Sequence, residues 1–176
     1  NYLYNETKCI NICITGGVAQ NSVVNGRIIE NTPFKNIYIP SAGHDAGTSI
    51  GSAFYLYNQI LRNSRMPAIY SAFYGRKSTH DEIIKVLKSC LLDFTVCSDD
   101  DLFDKVVKKL LDGGVVGWFQ GRAEFGPRAL GNRSILCDPR RKDAKDLINR
   151  KIKRRESFRP FAPSILSEYV SEYFMC

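Results

Sequence analysis

Three arginines in a glycine-rich stretch constrain this chain more than any other feature. Arg122, Arg128 and Arg133 follow an apolar run at 115–119, and glycines and a proline separate them. Glycine and proline break a regular helix, so the stretch predicts a shaped loop after a buried strand. Two like charges about 6 Å apart repel by roughly 3 kcal/mol at an effective dielectric near 20. A packed loop of this kind therefore indicates an anionic ligand or acidic partner, and three solvated arginines on a mobile loop are the alternative.

Positive charge is concentrated in one part of the chain. The net charge is +7, and the segment 122–159 holds 13 lysines and arginines against 5 acidic residues. The remainder holds 12 basic and 13 acidic residues. Such a basic patch indicates a phosphate-bearing ligand or nucleic acid, with a solvated basic helix as the alternative. No apolar run approaches the roughly 18 residues of a membrane span, so we expect no membrane association.

The cysteines predict a reducing environment. The chain has six cysteines, none in a C-x-x-C pair, and two histidines. Most of the cysteines lie in apolar runs, where a free thiol behaves as a small apolar group. We therefore expect no Cys/His zinc site and a cytoplasmic location. The chain begins at Asn1 rather than methionine and soon enters strand-like sequence, so we expect a fragment of a longer protein.

The first part of the chain repeats one pattern twice: a short apolar strand, a glycine turn and a helix. In order, the predicted elements are a strand at 9–15, a turn at Gly16 and Gly17, a helix over 18–30, a strand at 36–39, a turn at 43–48 and a helix over 50–61. The apolar face of the last helix includes Ile50, Phe54, Tyr57, Ile60 and Leu61. This pattern is typical of an α/β fold.

A linker over 62–77 precedes a second part with an α+β pattern. It contains a helix capped by Ser78 or Thr79, a strand at 94–97, a helix capped by Ser98 and ended by Gly113, strands at 115–119 and 134–137, and a basic helix opened by Asp138 and Pro139. Helix caps and acidic first turns support both early helices. We expect a twisted mixed sheet in this part.

Both glycine turns are candidate sites. Gly16 and Gly17 let backbone N–H groups approach a phosphate ahead of a helix, although many strand–helix turns contain glycine. Asp45 either caps the helix that follows it or binds a metal through its carboxylate. His44 either joins Asp45 or is a satisfied polar residue, and the composition leaves both readings open.

A third candidate site joins the loop at 122–133, which we call the arginine loop, to the basic segment near 151–159. Arginine forks bind phosphate and carboxylate oxygens bidentately. Catalysis at a phosphoryl or carbonyl centre needs such fixed positive charge, because negative charge grows in the transition state. Glu124 lies within the loop, where a lone carboxylate is more often an arginine partner than a general base.

Four strings of this sequence resemble the NodU/CmcH family of carbamoyltransferases, which make O-carbamoylated natural products. The strings are GGVAQNSVVNG (16–26), IYIPSAGHDAGTSIGSA (37–53), GWFQGRAEFGPRALGNRSILCDPR (117–140) and INRKIKRRESFRPFAPS (148–164). The third string is long and highly specific. Together they cover both parts of the chain, except the linker and the helices near 80–112.

The resemblance implies two domains and a two-step reaction. Residues 1–70 resemble the end of an actin-like ATPase-superfamily domain, and residues 71–176 the beginning of a YrdC-like domain. In the family, the YrdC-like domain forms carbamoyl adenylate from carbamoyl phosphate and ATP, with Mg²⁺ expected beside the ATP. The actin-like domain passes the carbamoyl group to the hydroxyl of a small acceptor, with an iron-type divalent metal at its site. The remainder of a full-length chain is an implied partner.

The resemblance also assigns residues. Its catalytic set, in the carbamoyl phosphate and ATP pocket, is Arg122, Arg128, Arg133, Lys153 and Arg159. Its cofactor-binding set is Gly16, Gly17, Asn21, Ser134, Arg155 and Ser164. Asp45 matches the metal ligand, whose two histidine partners would lie in an N-terminal half outside this chain. The sequence departs from the family pattern at Gln20 and His44.

An RNA-binding module of a tRNA-modification protein is the alternative function. The basic segment would bind the RNA backbone, and Phe125, Phe158 and Phe161 would stack on bases. The carbamoyltransferase interpretation instead predicts a small-molecule acceptor and no nucleic acid. A salt titration separates the two, because RNA affinity falls steeply with salt.

Overall fold

In the computed structural model, the described residues, 1–174, divide into two units. Unit 1 comprises residues 1–77 together with 122–130. Unit 2 comprises residues 78–121 and the described residues from 131 onward. The segment 122–130 therefore folds with unit 1, although the residues on both sides of it belong to unit 2. The domain boundary near residue 70, which the family resemblance implies, stays a prediction.

Two parallel strands form the sheet of unit 1. Helix α1 (Tyr2–Thr7) precedes strand β1 (Asn11–Cys13), which pairs with β2 (Asn36–Tyr38) so that Ile12 lies opposite Ile37. Both strands were expected from the alternation of apolar residues, and both predictions are confirmed. Because the strands run in the same direction, the turns that follow them lie at the same edge of the sheet.

Short helical segments, rather than one helix, follow the first glycine turn. They are a 3-10 turn (Gly17–Gln20), α2 (Ser22–Asn25) and α3 (Ile28–Asn31). The prediction of a continuous helix over 18–30 is wrong because Asn21 has a ψ of 89°, outside the helical region. Its Oδ1 accepts a hydrogen bond from the backbone N–H of Val24 at 3.2 Å and starts a new helix.

The second glycine turn leads into a helix, as predicted. Helix α4 (Gly47–Phe54) continues as a π-helical turn (Tyr55–Ile60). Tyr57, Ile60 and Leu61 were expected on the apolar face, and all three side chains are exposed. Tyr57 nevertheless lines one cavity together with Ile50 and Phe54, so the predicted face extends as far as Tyr57.

The two early helices of unit 2 have the predicted caps. Helix α5 (His80–Ser89) starts with a capping box, in which Thr79 Oγ1 accepts from the N–H of Glu82 and Glu82 Oε2 accepts from the N–H of Thr79. Helix α6 (Asp99–Leu111) starts at Ser98, whose Oγ accepts from the backbone N–H three residues on at 3.2 Å. These local signals decided both helix starts.

An antiparallel hairpin forms the sheet of unit 2. Strands β3 (Val115–Phe119) and β4 (Arg133–Cys137) pair along their whole length, and both were predicted. The ring of Trp118 lies 6.5 Å from that of Phe103 on α6. The predicted strand at 94–97 is wrong, because no strand within residues 1–174 pairs with it. The sheet is therefore an antiparallel pair rather than a mixed sheet.

The basic helix begins later than predicted. Asp138 Oδ1 accepts from the backbone N–H of Arg140 at 3.0 Å, and this contact stabilises a turn instead of a helix. Helix α7 (Ala144–Asp146) follows and continues as a π-helical turn (Leu147–Lys153). A 3-10 turn (Ser167–Tyr169) and α8 (Val170–Tyr173) end the described chain.

Few apolar side chains are buried. Within residues 1–174 the buried ones are Ala19, Phe34, Ala42 and Ala72 in unit 1 and Ile148 in unit 2. Tyr4 packs edge-on against Phe34, with ring centroids 6.0 Å apart.

The mixture of helices with small parallel and antiparallel sheets confirms the α/β class. Among residues 1–174, no helix has both the length and the apolarity to cross a bilayer.

Candidate functional site

The two glycine turns meet in unit 1. The backbone N–H of Gly16 donates to the carbonyl oxygen of Gly43 at 2.5 Å. Gly16 has a φ of 89°, a conformation that favours glycine. A Cβ added at Gly16 or at Gly17 would meet no atom within 4 Å, so the first turn faces open space. This space admits a ligand close to the backbone.

A cavity of about 1010 Å³ lies beside the two turns. Its lining includes Gly16, His44 and Asp45, so the structure brings together residues from both predicted turn motifs. The volume is at the upper end of the range of small-molecule sites. Gly17 and Asn21 lie outside this lining, and the Asn21 side chain caps α2.

The described residues form part of a metal site at most. Asp45 is exposed and lines the cavity, and His44 Nδ1 is buried without a hydrogen-bond partner in the described chain. A carboxylate and an imidazole are both suitable ligands for an iron-type ion. No group of three or more such side chains exists within residues 1–174. These residues alone therefore do not fit a complete metal centre.

The arginine loop splits between the two units. In unit 1, Arg122 Nη1 donates to the carbonyl oxygen of Gly75 at 3.2 Å, and Arg128 Nη2 donates to that of Gln20 at 2.8 Å. Gln20 follows the first glycine turn, so Arg128 lies beside that turn. Arg133 lies in unit 2. The prediction that all three guanidiniums serve one pocket stays a prediction.

Backbone contacts hold the segment 122–130 in unit 1. The N–H of Phe125 donates to the carbonyl of Ala72 at 2.6 Å, and Ser41 Oγ donates to the carbonyl of Phe125 at 3.0 Å. Gly126, with a φ of 147°, passes directly over Ser41. Glu124 Oε1 accepts from a backbone N–H within the segment. That carboxylate therefore helps to shape the loop.

Arg133 stabilises the turn of the hairpin in unit 2. Its guanidinium lies 3.5 Å from the centroid of the Phe119 ring. It donates to the carbonyl oxygens of Gln120 at 2.5 Å and Gly121 at 3.2 Å. The neighbouring Ser134 Oγ accepts from the N–H of residue 131 at 3.0 Å. Both side chains therefore make structural contacts within the hairpin.

Two arginine–aspartate pairs follow the hairpin. The pKa of Asp138 is lowered to about 2, chiefly because the Arg140 side chain donates to its carboxylate, with the Arg140 backbone N–H as the second cause. The nearest pair of atoms, Arg140 Nη2 and Asp138 Oδ2, is 2.7 Å apart. Arg141 likewise lowers the pKa of Asp143 by hydrogen bonding. These pairs engage two of the cations of the segment 122–159.

The remaining cations are concentrated in a turn at 150–159, which we call the basic turn. It contains six lysines and arginines and one glutamate. Arg155 lies 4.8 Å from the centroid of the Phe161 ring, and Arg159 Nε lies 2.9 Å from Glu156 Oε2. The pKa of Glu156 is lowered, first by its own backbone N–H and then by Arg159. Lys153 is exposed in this turn, as is Ser164 beyond it.

Asn149 holds the basic turn together, and the sequence motifs did not single it out. It is the largest fully buried side chain in residues 1–174. Its Nδ2 donates to the carbonyl of Arg159 at 3.0 Å, and its Oδ1 accepts from Arg155 Nε at 2.7 Å. The sequence signal that could have indicated its burial was its position next to Ile148, on the predicted inward side of the basic helix.

Comparisons with known proteins match both units. A family model described as the carbamoyltransferase N-terminus matches residues 1–54, and one described as the carbamoyltransferase C-terminus matches residues 107–176. The chain belongs to the carbamoyltransferase family. The matched ranges include the glycine turns, the arginine loop and the basic turn.

Relatives are found in several bacteria. The uncharacterized protein sll1178 of Synechocystis sp. is 49% identical over 99% of this chain. Nodulation protein NolO of Bradyrhizobium diazoefficiens is 39% identical over 93% of the chain, and nodulation protein NolNO of Sinorhizobium fredii is 38% identical over 93%. The chain spans 29%, 30% and 24% of the length of these relatives, respectively.

Proposed function

We propose that the protein containing this chain is an ATP-dependent O-carbamoyltransferase. In the first step, carbamoyl phosphate, ATP and water give carbamoyl adenylate, phosphate and pyrophosphate. In the second step, the hydroxyl oxygen of a small acceptor attacks the carbamoyl carbon, and AMP leaves. The products are an O-carbamoylated acceptor and AMP, which suits a biosynthetic role.

The basic turn is the observation that carries this proposal. It gathers cations around a buried anchor within the range that matches the carbamoyltransferase C-terminus. Lys153, Arg155 and Arg159 would bind the phosphate groups of carbamoyl phosphate and ATP, because fixed guanidinium and ammonium groups stabilise phosphoryl oxygens. Mg²⁺ would accompany the ATP. Arg133 would support this site through the hairpin.

Unit 1 would carry the transfer step. The open glycine turn, Arg128 beside it and the adjoining cavity suit the adenylate phosphate and the acceptor. Asp45 would supply one ligand to an iron-type divalent metal, whose other ligands would come from outside the described residues. Such a metal, when bound, supplies a Lewis acid.

The same proposal covers the identities of the two domains and the cellular location of the protein. Unit 1 would be part of an actin-like ATPase-superfamily domain and unit 2 part of a YrdC-like domain. The five cysteines within residues 1–174 are free thiols, which supports a cytoplasmic location. The remainder of the full-length chain would complete both sites.

Product release tests the proposal in the complete reading frame that contains this chain. We expect pyrophosphate release that requires both carbamoyl phosphate and ATP, and AMP release that also requires an acceptor alcohol. Lys153→Ala should abolish the first reaction, whereas Lys142→Ala, which removes an exposed charge outside the basic turn, should preserve it. Pyrophosphate release that is independent of carbamoyl phosphate would refute the proposed first step.

A further inference from the structure

Asn149 is buried next to the basic turn, and its side chain makes hydrogen bonds to three residues of that turn. Its side chain has a relative exposure of 0%. Its Nδ2 donates to the carbonyl oxygens of Arg159 at 3.0 Å and Ser157 at 3.4 Å. Its Oδ1 accepts from Arg155 Nε at 2.7 Å, and its carbonyl oxygen accepts from the Arg155 N–H at 3.0 Å. One buried residue therefore fixes the course of the turn.

This set of contacts requires a neutral amide. A primary amide donates through nitrogen and accepts through oxygen, whereas an ionised carboxylate of the same shape only accepts. Aspartate at this position would keep the contact to Arg155 but lose both bonds to the carbonyls of Ser157 and Arg159. Leucine, of similar size, would lose all three side-chain contacts. Asparagine is thus matched to two carbonyls and one guanidinium together.

The contacts oppose the repulsion within the turn. Six lysines and arginines face only one glutamate between residues 150 and 159. Like charges at such spacing favour an open turn in which the cations separate. The bonds from Asn149 hold the cations together before a ligand binds, and this preorganisation lowers the cost of binding.

Asn149 contacts only the Nε of the Arg155 side chain, so the two Nη groups remain available to a ligand. Nε is engaged by Asn149, and the guanidinium lies against the Phe161 ring. Within the described residues, the two Nη groups of Arg155 have no hydrogen-bond partner. A guanidinium with its Nε engaged and its plane set by an aromatic ring presents these groups in a defined direction. That arrangement suits a phosphate oxygen.

We propose that Asn149 is a positioning residue of the phosphate site in unit 2. It acts through Arg155 and the backbone at 157–159, so that Lys153, Arg155 and Arg159 bind the phosphate group of carbamoyl phosphate. Asn149 itself does not contact the ligand. This inference rests on the proposed function, and it assigns the residue that keeps the site formed when it is empty.

Calorimetry on the complete protein that contains this chain tests the inference, with carbamoyl phosphate and inorganic phosphate as separate probes at one ionic strength. Asn149→Asp and Asn149→Leu should each raise the Kd at least tenfold with the number of binding sites unchanged. Lys145→Gln lowers the net charge by one, as Asn149→Asp does, but at an exposed side chain outside the basic turn, and it should change the Kd less than twofold. Asn149→Ser, a milder change, should give an intermediate Kd.

The number of sites separates positioning from folding. A variant that merely unfolds lowers the number of sites at the wild-type Kd, and this result for all three Asn149 variants would overturn the inference. A wild-type Kd at full site number in Asn149→Asp would overturn it as well. If the complete wild-type protein binds neither probe, the proposed phosphate site fails instead. Hydrogen–deuterium exchange of the β3 and β4 amides monitors the hairpin of the same unit in every variant.

Discussion

Replacing Gly126 with alanine should detach the segment 122–130 from the rest of unit 1. A Cβ at Gly126 would lie 2.4 Å from the carbonyl oxygen of Ser41 and 2.9 Å from its carbonyl carbon. Both atoms belong to the backbone and cannot rotate away. The φ of 147° adds a second cost, because side chains disfavour this conformation. The new methyl group therefore meets both steric and conformational resistance.

Gly131 provides a matched control for the size of the effect. It also has a positive φ, 108°, but a Cβ there would meet no atom within 4 Å. Each alanine should cost of order 1–3 kcal/mol in backbone strain. Only Gly126→Ala adds overpacking, which typically costs about 1–3 kcal/mol. The difference between the variants corresponds to about a 5- to 150-fold change in an opening equilibrium.

Hydrogen–deuterium exchange measures this opening directly. The segment is held by the N–H of Phe125 to Ala72, the N–H of Gly75 to Ala123 and the N–H of Ala123 to Arg76, at 2.6, 2.9 and 3.0 Å. In Gly126→Ala these three amides should exchange faster than in Gly131→Ala by the factor above. Equal exchange in the two variants would refute the close approach of Gly126 to Ser41.

Three further changes have defined outcomes. Thr79→Ala should destabilise unit 2 by about 1 kcal/mol in urea unfolding, because the N-terminal cap of α5 is lost; no change would contradict the capping box. The pKa of Asp138 is about 2, below the ordinary value of 3.8, so this carboxylate stabilises the fold above about pH 4 and the contribution disappears as the pH falls through 2. The stability difference between wild type and Asp138→Asn should therefore shrink from pH 5 to pH 2, and a constant difference would argue against the Arg140 contact. In the complete reading frame, Asp45→Asn should lower the bound iron measured by elemental analysis, with Asp112→Asn as the control; unchanged iron would remove Asp45 as a ligand.

Local signals in the sequence predicted much of the fold. Thr79 and Ser98 cap helices because a side-chain oxygen and a backbone N–H three residues away interact without help from distant chain. The alternation around Ile12 and Ile37 predicted two strands, whereas their parallel pairing, which places Gly16 beside Gly43, was observed only in the structure. The strand predicted at 94–97 is wrong because propensity without a partner strand does not make a sheet.

The sequence by itself determined the charge, the capped helices, the glycine turns and the motifs that carry the family resemblance, because composition and short-range spacing encode them. Only the tertiary structure assigned the segment with Arg122 and Arg128 to unit 1 and Arg133 to unit 2. It alone buried Asn149 beneath the basic turn. Those features depend on contacts between residues far apart in the chain, and the placement of the segment through Ala72, Ser41 and Gly126 is the clearest case.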